Sequence, residues 1–277
     1  MTNKEKFTLG AEPPQFCIIT PTAYLESYAT QSRTHLVLAH LVDIDDVYAA
    51  FYKQRSEAGD RIIMDNGAFE LGESYAPDML VELGKKCGAH ALVLPDYPFK
   101  KSIETIRAAE KLIPFVKDAG FATFFVPQSE TGDLDDWINA YIWASTNPDI
   151  DIIGMSILGV PNAIPHVPTQ YARVVMTQML VQQGILAKKH HHYLGLNAGP
   201  NVEIPALLSM GALQTCDSSN PVWCGINGIV YNPINSDWMT VQKKYLREVD
   251  FKEHYTKKQH IHEAIQHNLS LTLGLFK

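Results

Sequence analysis

The chain has 277 residues, of which 46% are hydrophobic and 19% charged; this is ordinary globular composition at a length that buries a core, and it excludes wholesale disorder. No apolar run approaches the roughly 20 residues that a bilayer-spanning helix needs, and no charged segment leads into an apolar one at the start, so a soluble, cytoplasmic protein is expected. A net charge of -7 carries no global signature of nucleic-acid binding, although from Val241 onward Lys243, Lys244, Arg247, Lys252, Lys257, Lys258 and Lys277 outnumber Glu248, Asp250, Glu253 and Glu263.

In chain order, an arm (Met1–Pro14) precedes short runs rich in β-branched and aromatic residues: Phe16–Thr20, His35–His40, Arg61–Asp65, Ala91–Asp96, Ala122–Gln128, Ile152–Ile157, His192–Asn197 and Leu213–Asp217. Most are continuously apolar, the pattern of parallel strands covered on both faces. Amphipathic stretches between them predict helices at Asp45–Glu57, Ala76–Cys87, Ser102–Ala119, Leu134–Thr146, Pro168–Gln183 and Ile204–Met210. Strands alternating with helices in this number predict an α/β fold, a (β/α)8 TIM-type barrel with extra C-terminal helices. The expected division is a catalytic barrel over residues 1–237 and a helical extension over 238–277.

In such a barrel the carboxyl ends of the strands form one mouth, where active sites lie. The third run ends in Asp65-Asn66-Gly67, the fourth in Pro95-Asp96-Tyr97 and the fifth in Pro127-Gln128-Ser129. The sixth ends in Gly154-Met155-Ser156, the seventh in Gly195-Leu196-Asn197 and the eighth in Cys216-Asp217-Ser218. Each polar residue taken singly is also a turn or cap residue; together they point to a site.

Asp65 and Asp217, on different strands, suit glycosidic-bond chemistry, one as nucleophile at an anomeric carbon and the other as acid or base. Asp96 with Gln128 offers a carboxylate and a carboxamide to the edge of a purine-like base, with Phe69 or Tyr97 to stack on its face. The turn Asn197-Ala198-Gly199-Pro200 is alternatively a phosphate site for a small-molecule lyase or hydrolase, but no lysine stands at a strand end to form a Schiff base. Neither G-x-G-x-x-G nor a P-loop is present. Cys17, Cys87, Cys216 and Cys224 lie far apart, which argues against disulfides and a cysteine-rich metal site. Zinc is the one metal to consider, yet Cys224, His254, His260, His262 and His267 lack ligand spacing, so no cofactor is expected. His190-His191-His192 reads as a solvated strand edge, its adjacent side chains on opposite faces.

The order of these motifs resembles the tRNA-guanine transglycosylase superfamily over roughly residues 16–232. Met64-Asp65-Asn66-Gly67-Ala68-Phe69-Glu70 is similar to that family's Asp-Ser-Gly-Gly-Phe-Gln segment. Asp96, the Val126-Pro127-Gln128 segment, Ile153-Gly154, Tyr193-Leu194-Gly195 and Asp217 then follow in the family's order. The resemblance implies a covalent aspartyl-glycosyl intermediate, with Asp217 as nucleophile and Asp65 as general acid/base. Asp96, Gln128 and Gly154 would hold the base, and Ser156, Phe69 and Gly195 would complete the substrate-binding set. The family's Gly-Gly-Leu is here Gly154-Met155-Ser156, the glutamate that follows it there has no counterpart in Ile157-Leu158-Gly159-Val160, and the Cys-x-Cys-x-x-Cys zinc motif is missing. These departures resemble the phage-type enzymes that place a 7-deazaguanine base, such as 7-cyano-7-deazaguanine, into DNA and so protect it from restriction. DNA is thus the expected partner and tRNA the alternative, with the basic tail and Lys188-Lys189 as candidate backbone contacts.

Overall fold

The computed structural model describes residues 2–10, 12–72, 74–196, 199–235, 238 and 259–277, with Phe69 and Glu70 described in their backbone only. Eight short strands form one all-parallel sheet: β1 (Gln15–Ile18), β2 (Thr34–Val37), β3 (Arg61–Met64), β4 (Ala91–Val93), β5 (Ala122–Phe125), β6 (Ile152–Gly154), β7 (His190–Tyr193) and β8 (Thr215–Ser218). The hydrogen-bonded order β1-β8-β7-β6-β5-β4-β3-β2 curls until its two ends meet, where Thr34 Oγ1 of β2 donates to Gln15 Oε1 of β1 at 3.0 Å. The predicted (β/α)8 barrel is the observed fold.

Helices wrap the outside because their apolar stripes need the sheet's outer face. They are α1 (Leu25–Tyr28), α2 (Ala39–Ile44), α3 (Asp46–Glu57), α4 (Ala68–Leu71), α5 (Pro77–Cys87), α6 (Ser102–Asp118), α7 (Leu134–Thr146), α8 (Gly159–Ala163), α9 (Thr169–Gln182), α10 (Pro200–Ser209), α11 (Asn220–Ile226) and α12 (Gln259–Gly274). Their ends follow from local chemistry: Asp45 accepts from the amides of Val47 and Tyr48 to start α3, and Asp133 accepts from the Asp136 amide to start α7. Pro77 opens α5 at a position where no amide is needed. The run read as strand through His40 instead ends at Val37, and Ala39–Ile44 turns into α2.

The N-terminal arm closes the lower end of the barrel. Phe7 is buried and meets His190 edge-on at 5.4 Å, and Arg61, pointing inward from β3, donates to the Lys6 carbonyl at 3.2 Å. At the other extreme of the chain, α12 packs on α11 through Asn268, which donates to the carbonyls of Pro221 and Ile229 and accepts from the Tyr231 amide. A helical extension is thus present, while the basic residues Lys243, Lys244, Arg247, Lys252, Lys257 and Lys258 lie outside the described residues. Among the described residues no helix is long and apolar enough to cross a membrane.

Candidate functional site

Parallel register fixes which side chains share the barrel interior. Cys17 pairs with Asp217, Thr215 with His192, His192 with Gly154 and Ile152 with Phe124. Side chains alternate with period two, so Asp217, Asp65 and Gln128 continue the inward rows of β8, β3 and β5 to the upper rim. The mouth therefore gathers the carboxylates and the glutamine singled out in the sequence.

On the β3–β5 side the residues form one connected set. Asn66 is buried; its amide group donates to the Leu94 carbonyl at 2.9 Å and to Asp96 Oδ1 at 2.8 Å. Gln128 Nε2 donates to Asp96 Oδ2 at 2.6 Å. Burial raises the Asp96 carboxyl above its ordinary value, and these two amide donors pull the other way. The second half of the Gln128 amide, Oε1, is buried and has no hydrogen-bond partner among the described residues. It lies against Gly159 at the start of α8, where a Cβ would come within 2.7 Å of it. Asp65 accepts from the backbone amide of Ala39, the first residue of α2. Ala39's position explains why α2 begins so abruptly after β2.

On the β7–β8 side Asp217 is only 4% exposed. Its Oδ1 accepts from His192 Nε2 at 2.9 Å and from the Gly195 amide at 3.0 Å. Gly195 takes a left-handed φ of 72°, a conformation open to glycine, and thereby turns its N–H back onto β8. Its carbonyl is held from the opposite side by Arg173 Nη2 at 2.8 Å. Arg173 of α9 is fully buried in a two-pronged pair with Glu203 of α10, at 2.7 Å for each prong, and it also binds the carbonyls of Met155 and Leu194. A buried guanidinium with its counter-ion thus fastens the loops after β6 and β7.

The remaining predicted residues take other places. Gly154 faces the packed interior: a Cβ there would lie 2.6 Å from the Phe124 ring and 2.9 Å from Val126, so contact with a base would run through its main chain. Ser156 Oγ accepts from the amides of Leu158 and Gly159 at 3.1 Å each and starts α8. Phe69 lies in α4, and its side chain is outside the described residues. Tyr97 is exposed beside Asp96. Asn197 and Ala198 of the alternative phosphate turn lie outside the described residues.

The histidine run departs from expectation. His190, His191 and His192 are all buried rather than lying on a solvated edge. His191 points outward to the Tyr141 hydroxyl at 2.8 Å; His190 and His192 point inward to the same Thr215 hydroxyl, at 2.7 and 2.8 Å. The signal was in the spacing: His-x-His on one strand and Thr-x-Asp on its neighbour put four polar groups on one face. A Thr-His-Asp nucleophilic triad is not what results, because Thr215 is fully buried and its hydroxyl lies between two imidazoles.

Among the described residues no three His, Cys, Asp or Glu side chains form a metal-ligand group. Of the histidines weighed for zinc, His262 is hydrogen-bonded to Tyr28 and His267 to the Tyr231 carbonyl; Cys224 is buried, and His254 lies outside the described residues. In the comparisons with known proteins, no family model matches the chain, and no curated protein matches it.

Proposed function

We propose that the chain is a base-exchanging transglycosylase that replaces guanine in DNA with a 7-deazaguanine base. The observation that carries this reading is the acceptor cluster at Asp96 and Gln128. Asp96 accepts from the Asn66 and Gln128 side-chain amides, and Gln128 Oε1 has no donor among the described residues. Buried acceptors without donors are costly. A guanine-type edge, with a ring N–H and an exocyclic amine side by side, offers the donor that Gln128 Oε1 lacks and a second one for the Asp96 carboxylate.

The chemistry then divides across the mouth. With Oδ1 of Asp217 tied down by two N–H groups, Oδ2 is the oxygen that bonds to the anomeric carbon. The bond from that carbon to the guanine nitrogen breaks, its electron pair stays with the base, and the leaving base takes a proton from an acid. In the return step the incoming deazaguanine gives up its ring N–H proton to a base, its nitrogen attacks the anomeric carbon, and the Asp217 carboxylate is released. Asp65 is assigned the acid/base role in both halves. Against duplex DNA the target nucleotide has to leave the stack first, at a cost of roughly a few kcal/mol.

The test is incorporation of radiolabelled guanine into duplex DNA and, separately, into unmodified tRNA, with 7-cyano-7-deazaguanine as competitor. Label in DNA that disappears in Asp217→Asn is the expected result. Label confined to tRNA would keep the chemistry and change the partner. No label in either, with thermal stabilisation by sugar phosphates, would instead favour the small-molecule lyase or hydrolase.

A further inference from the structure

We propose that His192 is a positioning residue for Asp217: fixed by Thr215 and His190 in the tautomer that carries its hydrogen on Nε2, it pins Oδ1 of Asp217 and leaves Oδ2 as the reacting oxygen. This rests on the reading of Asp217 as the nucleophile, and it adds three interior residues, His190, His192 and Thr215, that touch no substrate.

With a neutral His192, the direction of every hydrogen in the chain follows from donor and acceptor bookkeeping. An ionised carboxylate only accepts, so the 2.9 Å contact to Asp217 Oδ1 requires a hydrogen on His192 Nε2. A neutral His192 then has a bare Nδ1, which accepts from the Thr215 hydroxyl at 2.8 Å. That hydroxyl has one hydrogen, so it accepts from His190 Nε2–H at 2.7 Å. Burial, with His192 second, holds the His190 imidazole well below its ordinary value and therefore neutral. The result is a one-way relay, His190 to Thr215 to His192 to Asp217, with every donor aimed toward the carboxylate.

Its location argues for a purpose beyond filling space. Barrel interiors are usually layered with Val, Ile and Leu, and buried imidazoles and hydroxyls are tolerated only when fully paired. The neighbouring interior positions Ile152, Gly154 and Phe124 follow the apolar rule. A second inward polar set, Gln15, Thr34 and Arg61 on β1 to β3, bonds within itself; the row on β7 and β8 is the one that ends on Asp217. Without the relay, His192 would be free to carry its hydrogen on Nδ1, and the bare Nε2 would repel Oδ1.

Long-range 1H–15N spectra of the histidine-labelled full chain read the tautomer directly, independent of activity. We expect the Nε2–H form for both His190 and His192 in the wild type, and a mixed or reversed His192 tautomer in Thr215→Val, which keeps both rings. In the exchange assay, His192→Phe should lower kcat by roughly 10- to 100-fold, as expected on losing a hydrogen bond to a charged group, with KM for the base within about twofold of wild type, since no base-holding group is touched. His192→Gln, whose amide can donate to the same oxygen, should recover part of the loss. If His192→Phe does not fold, Thr215→Val carries the test, with a smaller loss of kcat expected. A wild-type His192 with its hydrogen on Nδ1, or an unchanged kcat in both His192→Phe and Thr215→Val, would overturn the proposal. A wild type inactive on both DNA and tRNA overturns the functional reading, and the tautomer measurement then decides the relay by itself.

Discussion

Strand β3 has an aspartate at each end, and the two are treated in opposite ways. Asp60, below the strand, is buried and surrounded by His35 at 3.0 Å, Arg55 at 2.6 Å and Arg33 at 3.4 Å. Burial alone would raise its pKa, but the hydrogen bonds from His35 and Arg55 outweigh that and bring it below the ordinary carboxylate value. Asp65, above the strand, receives the neutral amide of Ala39. Asp96 and Asp217 likewise receive amide or imidazole N–H groups, and for Asp96 burial prevails and the value rises. One end of the barrel pairs its carboxylate with arginines, while at the other Asp96 and Asp217 are oriented by amide and imidazole N–H groups. The contrast fits the general division of such barrels into a stabilising lower face and a reactive upper face.

Neutralising one aspartate of each kind puts this contrast to its hardest test. Asp217→Asn should abolish base exchange, by on the order of 10^4-fold for loss of a nucleophile, with little change in the melting temperature. Asp60→Asn should do the reverse, since it strands His35 and Arg55 around a neutral group. A loss of about 2–3 kcal/mol in urea unfolding is expected, below the range for an all-buried ion pair because Arg33 and Arg55 are partly solvated. Activity per folded molecule should hold. If Asp60→Asn lost activity while remaining folded, the division between the two faces would fail.

Gly154→Ala, next in size, separates packing from recognition at one position. A methyl group there meets the Phe124 ring and Val126 at distances no Cβ tolerates, so the barrel should lose about 1–3 kcal/mol from overpacking. If Gly154 acts on the base only through its main chain, KM for the base should shift far less than it does in Asp96→Asn. Equal KM effects in the two variants would place the glycine's Cα against the ligand instead.

The architecture was legible because parallel strands covered on both faces leave continuous apolar runs, and the polar residue ending each run marks the rim. Strand ends were harder to read. The runs through Asp96 and Gln128 look uniform in sequence, yet β4 stops at Val93 and β5 at Phe125, since Pro95 and Pro127 have no amide to continue a ladder. Helix α2 was hidden because Ala39-His40-Leu41-Val42 has the composition of a strand, and only the Asp65 carboxylate at its first amide shows why it turns. Asp65, Asp96, Gln128 and Asp217 were visible as types at strand ends. The Asn66 bridge, the Arg173–Glu203 clamp and the inward histidines were not. Each depends on pairing across the fold, and a polar residue in a core reads as a surface residue until its partner is known.

The histidines also yield the smallest expected effect, which tests the buried reading without any substrate. Burial brings His191 down from an ordinary 6.5 to about 4, and burial with the nearby Lys6 charge brings His90 to about 4. Both are lower in the folded state than in the unfolded one, so the unfolded chain binds more protons as the pH falls. Their contribution to stability is therefore complete above pH 6.5 and is lost progressively as the pH drops toward 4. Melting temperatures taken across that window should fall, while those between pH 7 and 8 should be flat with respect to these two groups. His191→Phe keeps a ring against Tyr141 while removing the titrating nitrogen, and it should shallow the slope. It sits on the outer face of β7, away from His192 and Asp217. Exchange activity should be nearly unchanged, so the variant separates the histidine that packs the barrel from the one that faces the nucleophile.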